Sequence, residues 1–107
     1  MTEIEVPIKT KIEKLLSKGR VMLMLRGVPS FPLCKGSKRM MDVLSKYNIP
    51  KLEYFDLTTD EEIAKHLLLF SNFGEIPQLY IESKLVGGCE VVESLEAQGL
   101  LQKLLLN

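Results

Sequence analysis

Cys34 follows two prolines in the stretch "RGVPSFPLCKGSKR" (residues 26–39), and Ser37 stands three positions beyond it. A thiol does chemistry as its thiolate, which attacks disulfides and ligates soft metals. Arg26, Lys35, Lys38 and Arg39 surround this one with positive charge, and the stretch contains no acid. Helical spacing begins just after the cysteine. A helix start offers unpaired backbone N–H groups and the positive end of its dipole, and both favour an anion. Pro29 and Pro32 stiffen the approach and help expose the sulfur. Ser37 stands where the second cysteine of a C-x-x-C redox motif would be. A disulfide within the motif is therefore impossible, and Cys34 needs another partner: a small thiol, another chain, a metal centre, or Cys89.

Cys89, 55 positions away, is the only other cysteine. Two such thiols make neither a disulfide framework nor a zinc motif. The single histidine, His66, has no metal-ligand spacing around it and reads as a surface helix residue.

Zero net charge conceals an asymmetry. Seven basic residues and no acid lie between Glu13 and Asp42, whereas acids predominate after Lys46. The first half is thus suited to a local anionic ligand. Nucleic acid is not expected, because Phe31 is the one aromatic in the basic stretch that a base could stack on. No membrane span is expected either, since the longest apolar run, Val21–Leu25, is strand-sized. The N-terminal "MTEIEVPIKT", with acids at Glu3 and Glu5, does not read as a secretory signal. The expected compartment is the cytoplasm, or the mitochondrial matrix if a transit peptide has been removed.

The elements that must position Cys34 follow from periodicity. Ile8, Ile12, Leu15 and Leu16 predict a first helix stopped by Gly19, and "VMLML" (21–25) predicts a strand buried on both faces. Residues 26–33, broken by Gly27, Pro29 and Pro32, are expected to be irregular. Helical spacing over 34–47 is followed by a strand over 52–57. Thr58 or Thr59 is the expected N-cap of a third helix, with Ile63, Leu67 and Phe70 facing inward. "PQLYIESKLVGG" (77–88) reads as a hairpin turning near Glu82–Ser83, and "CEVVESLEAQGLLQKLLLN" as one helix to the end. With 107 residues, the chain is expected to form a single domain over 1–107. Its fold class is α/β, a four-stranded mixed sheet flanked by helices on both faces.

Two motifs carry a resemblance. Arg26-Gly27-Val28-Pro29-Ser30-Phe31-Pro32-Leu33-Cys34-Lys35-Gly36-Ser37 resembles the monothiol glutaredoxin pattern Lys-Gly-x-Pro-x-x-Pro-x-Cys-Gly-Phe-Ser, altered here to Cys-Lys-Gly-Ser. "SNFGEIPQLYIESKLVGGCE" (71–90) is similar to the family's Ser-Asn-Trp-Pro-Thr-x-Pro-Gln-hydrophobic-Tyr and Gly-Gly-x-Asp. The resemblance implies a thioredoxin-like fold that binds glutathione through Arg26, Cys34, Ile76, Pro77, Gly88, Cys89 and Glu90. Arg26 would receive the glycine carboxylate in place of the family's lysine. Pro77 would be cis and let the backbone of Ile76 pair with the ligand's cysteinyl part. Past Gly87 and Gly88, the N–H groups of Cys89 and Glu90 would hold the γ-glutamyl carboxylate, with Glu90 facing the ligand's amino group. Lys35-Gly36 departs from Gly-Phe, Ala64 from a frequent arginine, and Phe73-Gly74-Glu75 from Trp-Pro-Thr.

The family's further implication is a [2Fe–2S] cluster bridging two subunits. A cluster takes four thiolate ligands, and two Cys34 with two glutathione sulfurs supply them. The first expectation is a carrier in iron–sulfur cluster assembly, monomeric without cluster and homodimeric with it, serving iron–sulfur recipient proteins. The alternatives are a glutathione-dependent thiol–disulfide oxidoreductase acting through Cys34, and a redox-inert interaction domain.

Overall fold

The computed structural model describes residues 6–106 of the chain, and Glu3 and Glu5 lie outside this span. A four-stranded sheet runs in the order β4 (Glu53–Asp56), β1 (Val21–Leu25), β5 (Gln78–Ile81), β6 (Lys84–Gly87). β1 pairs in parallel with β4 and antiparallel with β5, and β5 pairs antiparallel with β6. The sheet is therefore mixed, as expected.

Alternation along β1 explains why that strand is apolar throughout. Val21, Leu23 and Leu25 point to one face, into a core with Met40, Val43 and Leu44 of α2 (Lys35–Leu44). The same core takes in Val92 of α4 (Cys89–Ala97) and Leu101 and Leu105 of α5 (Leu101–Leu106). Met22 and Met24 point the other way, onto Ile8, Ile12 and Leu16 of α1 (Val6–Leu16) and Ile63, Ala64 and Leu67 of α3 (Glu61–Ser71). A central strand with helices on both sides has no solvent face to make polar. The expected inward stripe of α3 holds for Ile63 and Leu67, while Phe70 is only partly buried.

The structure corrects three local readings. Residues 26–33 are not wholly irregular, because β2 (Gly27–Val28) pairs with β3 (Phe31–Pro32) as a minimal antiparallel ribbon. Gly27 makes this possible with φ +92, a conformation that favours glycine. The N-cap of α3 is Asp60, whose carboxylate accepts the Ile63 N–H at 3.2 Å; Thr58 and Thr59 belong to a preceding short 3₁₀ turn, Leu57–Thr59. Finally, the C-terminal helix is two helices, parted where Gly99 takes φ +74. The break lets α4 bury Cys89 and Val92 while α5 independently buries Leu101 and Leu105.

The hairpin turns at Glu82–Ser83 as read. Both residues are left-handed, with φ 53 and 65, as in the tight turns that suit strand twist. The turn is tied to the start of β1 by the Glu82 N–H, which donates to the Arg20 carbonyl at 2.7 Å.

Candidate functional site

Cys34 is the N-cap of α2, with extended backbone (φ −145, ψ 163). Its sulfur accepts the Ser37 N–H at 3.4 Å and lies 3.1 Å from the Ser37 hydroxyl. Ser37 is wholly buried, and its Oγ also accepts the backbone N–H of Arg26 at 2.9 Å. One hydroxyl thus joins the end of β1 to the sulfur. The loop between them is closed by the Leu33 N–H, which donates to the Arg26 carbonyl at 2.9 Å. Cys34 is left half-buried, and Phe31 and Leu33 in the segment leading to it are exposed.

A second wall comes from the segment before β5. The Ile76–Pro77 peptide bond is cis, as the resemblance implied. Gly36, in the first turn of α2, packs on this segment so closely that a Cβ there would meet Pro77 Cδ at 3.0 Å and the Ile76 carbonyl at 3.1 Å. Gln78, which the sequence reading did not single out, holds the loop in shape. Its buried amide nitrogen lies within 3.1 Å of Ser71 Oγ, Phe73 O and Glu75 O, and its amide oxygen accepts the Tyr80 hydroxyl at 2.7 Å. Such a buried amide must find partners for all its groups, and here they are two backbone carbonyls of the loop and the hydroxyls of Ser71 and Tyr80.

The third wall is the start of α4. Gly88 is its N-cap and supplies no side-chain hydrogen bond, whereas α2 is capped by Cys34 and α3 by Asp60. The leading N–H groups of α4, those of Cys89 and Glu90, therefore receive no capping side chain. Gly88 is hemmed in: a Cβ would meet the Phe73 ring at 3.1 Å and the Pro77 carbonyl at 3.4 Å. Cys89 is buried, and its thiol donates to the Gly36 carbonyl at 3.2 Å. Burial pushes that thiol up from its ordinary range, against the lowering effect of Arg39, and Glu93, Glu75 and Cys34 add to the rise. Glu90 is exposed in the first turn.

Arg26 reaches this site through its backbone, while its side chain goes elsewhere. The guanidinium Nη1 lies 3.1 Å from Glu61 Oε2 and 3.4 Å from Oε1. The neighbouring Gly27 N–H donates to Asp56 Oδ1 at 2.8 Å, and the same oxygen accepts from the N–H and hydroxyl of Thr58. Partial burial raises the Asp56 carboxyl, but these hydrogen bonds and the charge of Arg26 outweigh it and hold the group below the usual carboxylate range. Glu61 and Asp56 carried no periodic signal. An acid at a strand end two residues before a pair of threonines is the available hint for Asp56. Ala64 lies on the buried face of α3 and Lys65 is exposed on it.

Cys34, Ile76–Pro77, Gly88, Cys89 and Glu90 therefore meet where the N-termini of α2 and α4 adjoin a cis-proline loop. The arrangement presents one accessible thiol between two helix starts, a setting for anionic, sulfur-containing ligands.

Comparison with known proteins agrees with this geometry. A family model described as Glutaredoxin matches residues 15–86. Glutaredoxin 4 of Pasteurella multocida is 34% identical over 95 residues, covering 89% of this chain and 86% of its own length. Glutaredoxin-3 of Mus musculus is 37% identical over 90 residues, covering 84% of this chain. The chain spans about a quarter of such longer relatives, 26% in that case. Monothiol glutaredoxin-S11 of Oryza sativa is 35% identical over 92% of this chain but 20% of its own length. Among solved structures, a monomeric truncated mutant of Trypanosoma brucei 1-C-Grx1 superposes with a TM-score of 0.76 at 30% identity, over 89% of this chain and 86% of that one. A buckwheat glutaredoxin–glutathione complex superposes with a TM-score of 0.78 at 18% identity, over 92% and 87%, and shares the thioredoxin-like fold.

Proposed function

The chain belongs to the glutaredoxin family, its relatives including proteins named as monothiol glutaredoxins, and from that premise we propose that it binds glutathione beside Cys34 and carries a [2Fe–2S] cluster shared between two subunits. The observation that carries this reading is the isolation of one accessible thiol. Ser37 fills the resolving position, and the Cys89 thiol is buried and turned toward Gly36 O. Among the described residues no cluster of three or more His, Cys, Asp or Glu side chains is placed to hold a metal ion. A cluster at Cys34 must therefore draw ligands from outside the protomer, and two Cys34 with two glutathione thiolates complete a set of four.

Within each protomer the roles divide by chemistry. The first-turn N–H groups of α4 receive the γ-glutamyl carboxylate, and Glu90 faces the amino group beside it. The Ile76 backbone at the cis-proline pairs with the cysteinyl unit as an added strand would. Arg26 receives the glycine carboxylate, with a fork suited to two oxygens. Cargo held partly by exchangeable small thiols suits delivery to iron–sulfur recipient proteins. Two free cysteines suit a reducing compartment, the cytoplasm or the mitochondrial matrix.

The same isolation supports a second reading, a thiol–disulfide oxidoreductase. The Cys34 thiolate attacks the glutathione sulfur of a glutathionylated substrate, and the substrate's thiolate leaves. A second glutathione thiolate then breaks the Cys34–glutathione disulfide, releasing glutathione disulfide and restoring Cys34.

Anaerobic reconstitution with ferrous iron and sulfide, with and without glutathione, tests the first reading. A coloured dimer requiring both glutathione and Cys34 is expected. Colour retained by Cys34→Ser overturns the assignment. A colourless wild type that turns over a glutathionylated substrate moves it to the second reading.

A further inference from the structure

We propose that Glu61 is a built-in competitor for the cation that Arg26 presents, and so sets how readily the site accepts a ligand carboxylate. This rests on the reading of Arg26 as the receptor for that carboxylate.

The backbone of Arg26 is fixed on both sides. Its own N–H is held by Ser37 Oγ at 2.9 Å, and the N–H of Gly27 by Asp56 Oδ1 at 2.8 Å. The side chain alone is free to choose a partner. It chooses Glu61, whose two carboxylate oxygens lie 3.1 and 3.4 Å from Arg26 Nη1. A ligand carboxylate seeking the same nitrogen must displace an anion already there.

The exposures make displacement feasible. The Glu61 side chain is 67% exposed and that of Arg26 34%, so the pair is screened and biases an equilibrium by no more than about five-fold. Glu61 also stands in the first turn of α3, where the helix dipole favours a carboxylate with or without a partner. Its release into water is therefore easy. Glu62, the next residue, carries the same charge but makes no ion pair among the described residues. It provides a matched control.

The test is titration of the wild type, Glu61→Gln and Glu62→Gln with reduced glutathione and with its glycine monoethyl ester, followed by backbone amide shifts in NMR. Glu61→Gln is expected to bind glutathione about two- to five-fold more tightly, with no gain for the ester and none in Glu62→Gln. No gain in Glu61→Gln overturns the inference, as does an equal gain for the ester or in Glu62→Gln, which would indicate only a change of net charge. Failure of the underlying reading looks different: glutathione then shifts no amide near Cys34 in any of the three proteins, and the inference falls with it.

Discussion

The hydroxyl of Ser37 lies 3.1 Å from the Cys34 sulfur while accepting the backbone N–H of Arg26 at 2.9 Å. Ser37→Ala should strand that N–H and lower stability by about 1–3 kcal/mol, the cost of leaving a buried donor unpaired. Urea unfolding measures it directly. A variant as stable as the wild type would mean that the β1 end does not depend on this hydroxyl.

The two thiols should differ sharply in reactivity. Cys34 is half-buried at a helix start, whereas Cys89 is buried, donates to Gly36 O and is held protonated beyond the ordinary thiol range. Iodoacetamide near neutral pH should label Cys34 on the order of tenfold or more faster than Cys89. Peptide mass mapping reads the ratio, and equal rates would contradict the burial of Cys89.

Gly36 faces opposing demands. Alanine is the better helix former by about 1 kcal/mol, yet a Cβ there would press on Pro77 Cδ at 3.0 Å and Ile76 O at 3.1 Å. Gly36→Ala is expected to gain no thermal stability and to weaken glutathione binding by moving α2 away from the cis-proline loop. A variant stabilised by the full helix preference, with binding unchanged, would show that the two elements separate freely.

Asp56 should give the fold part of its acid sensitivity. Its folded value lies below the ordinary carboxyl value of 3.8. The stabilisation is therefore complete above that pH and is lost as the pH falls through the lower, folded value. Asp56→Asn keeps an acceptor for the Gly27 and Thr58 N–H groups but cannot titrate. Denaturant midpoints followed into acid should fall less steeply for it than for the wild type, and parallel curves would assign the sensitivity to other carboxylates.

Much of this architecture is legible along the chain because side-chain period encodes burial. Five consecutive apolar residues at 21–25 require a strand covered on both faces, and Ile8, Ile12 and Leu16 on a helical stripe provide one of the covers. Punctuation was less reliable. Asp60 took the cap expected of Thr58 or Thr59, because several short polar residues in a row compete for one N–H and only the approach of the chain selects among them. Gly99 lies within an otherwise continuous helical pattern, and its left-handed conformation, common at helix stops, breaks that pattern.

By itself the sequence determined that a lone thiol would begin a helix amid positive charge, with a serine in the resolving position and a mixed sheet behind it. Those properties depend on neighbours within a turn or on alternation within a strand. Tertiary structure decided what surrounds the thiol. The Cys89 thiol meets Gly36 O across 53 positions, and Arg26 meets Glu61 across 35. Neither meeting has a local signal, since each arises only when α4 or α3 is carried to its place by apolar packing on opposite faces of the sheet. Residue types at 26 and 61 announce a cation and an anion; packing alone makes them partners.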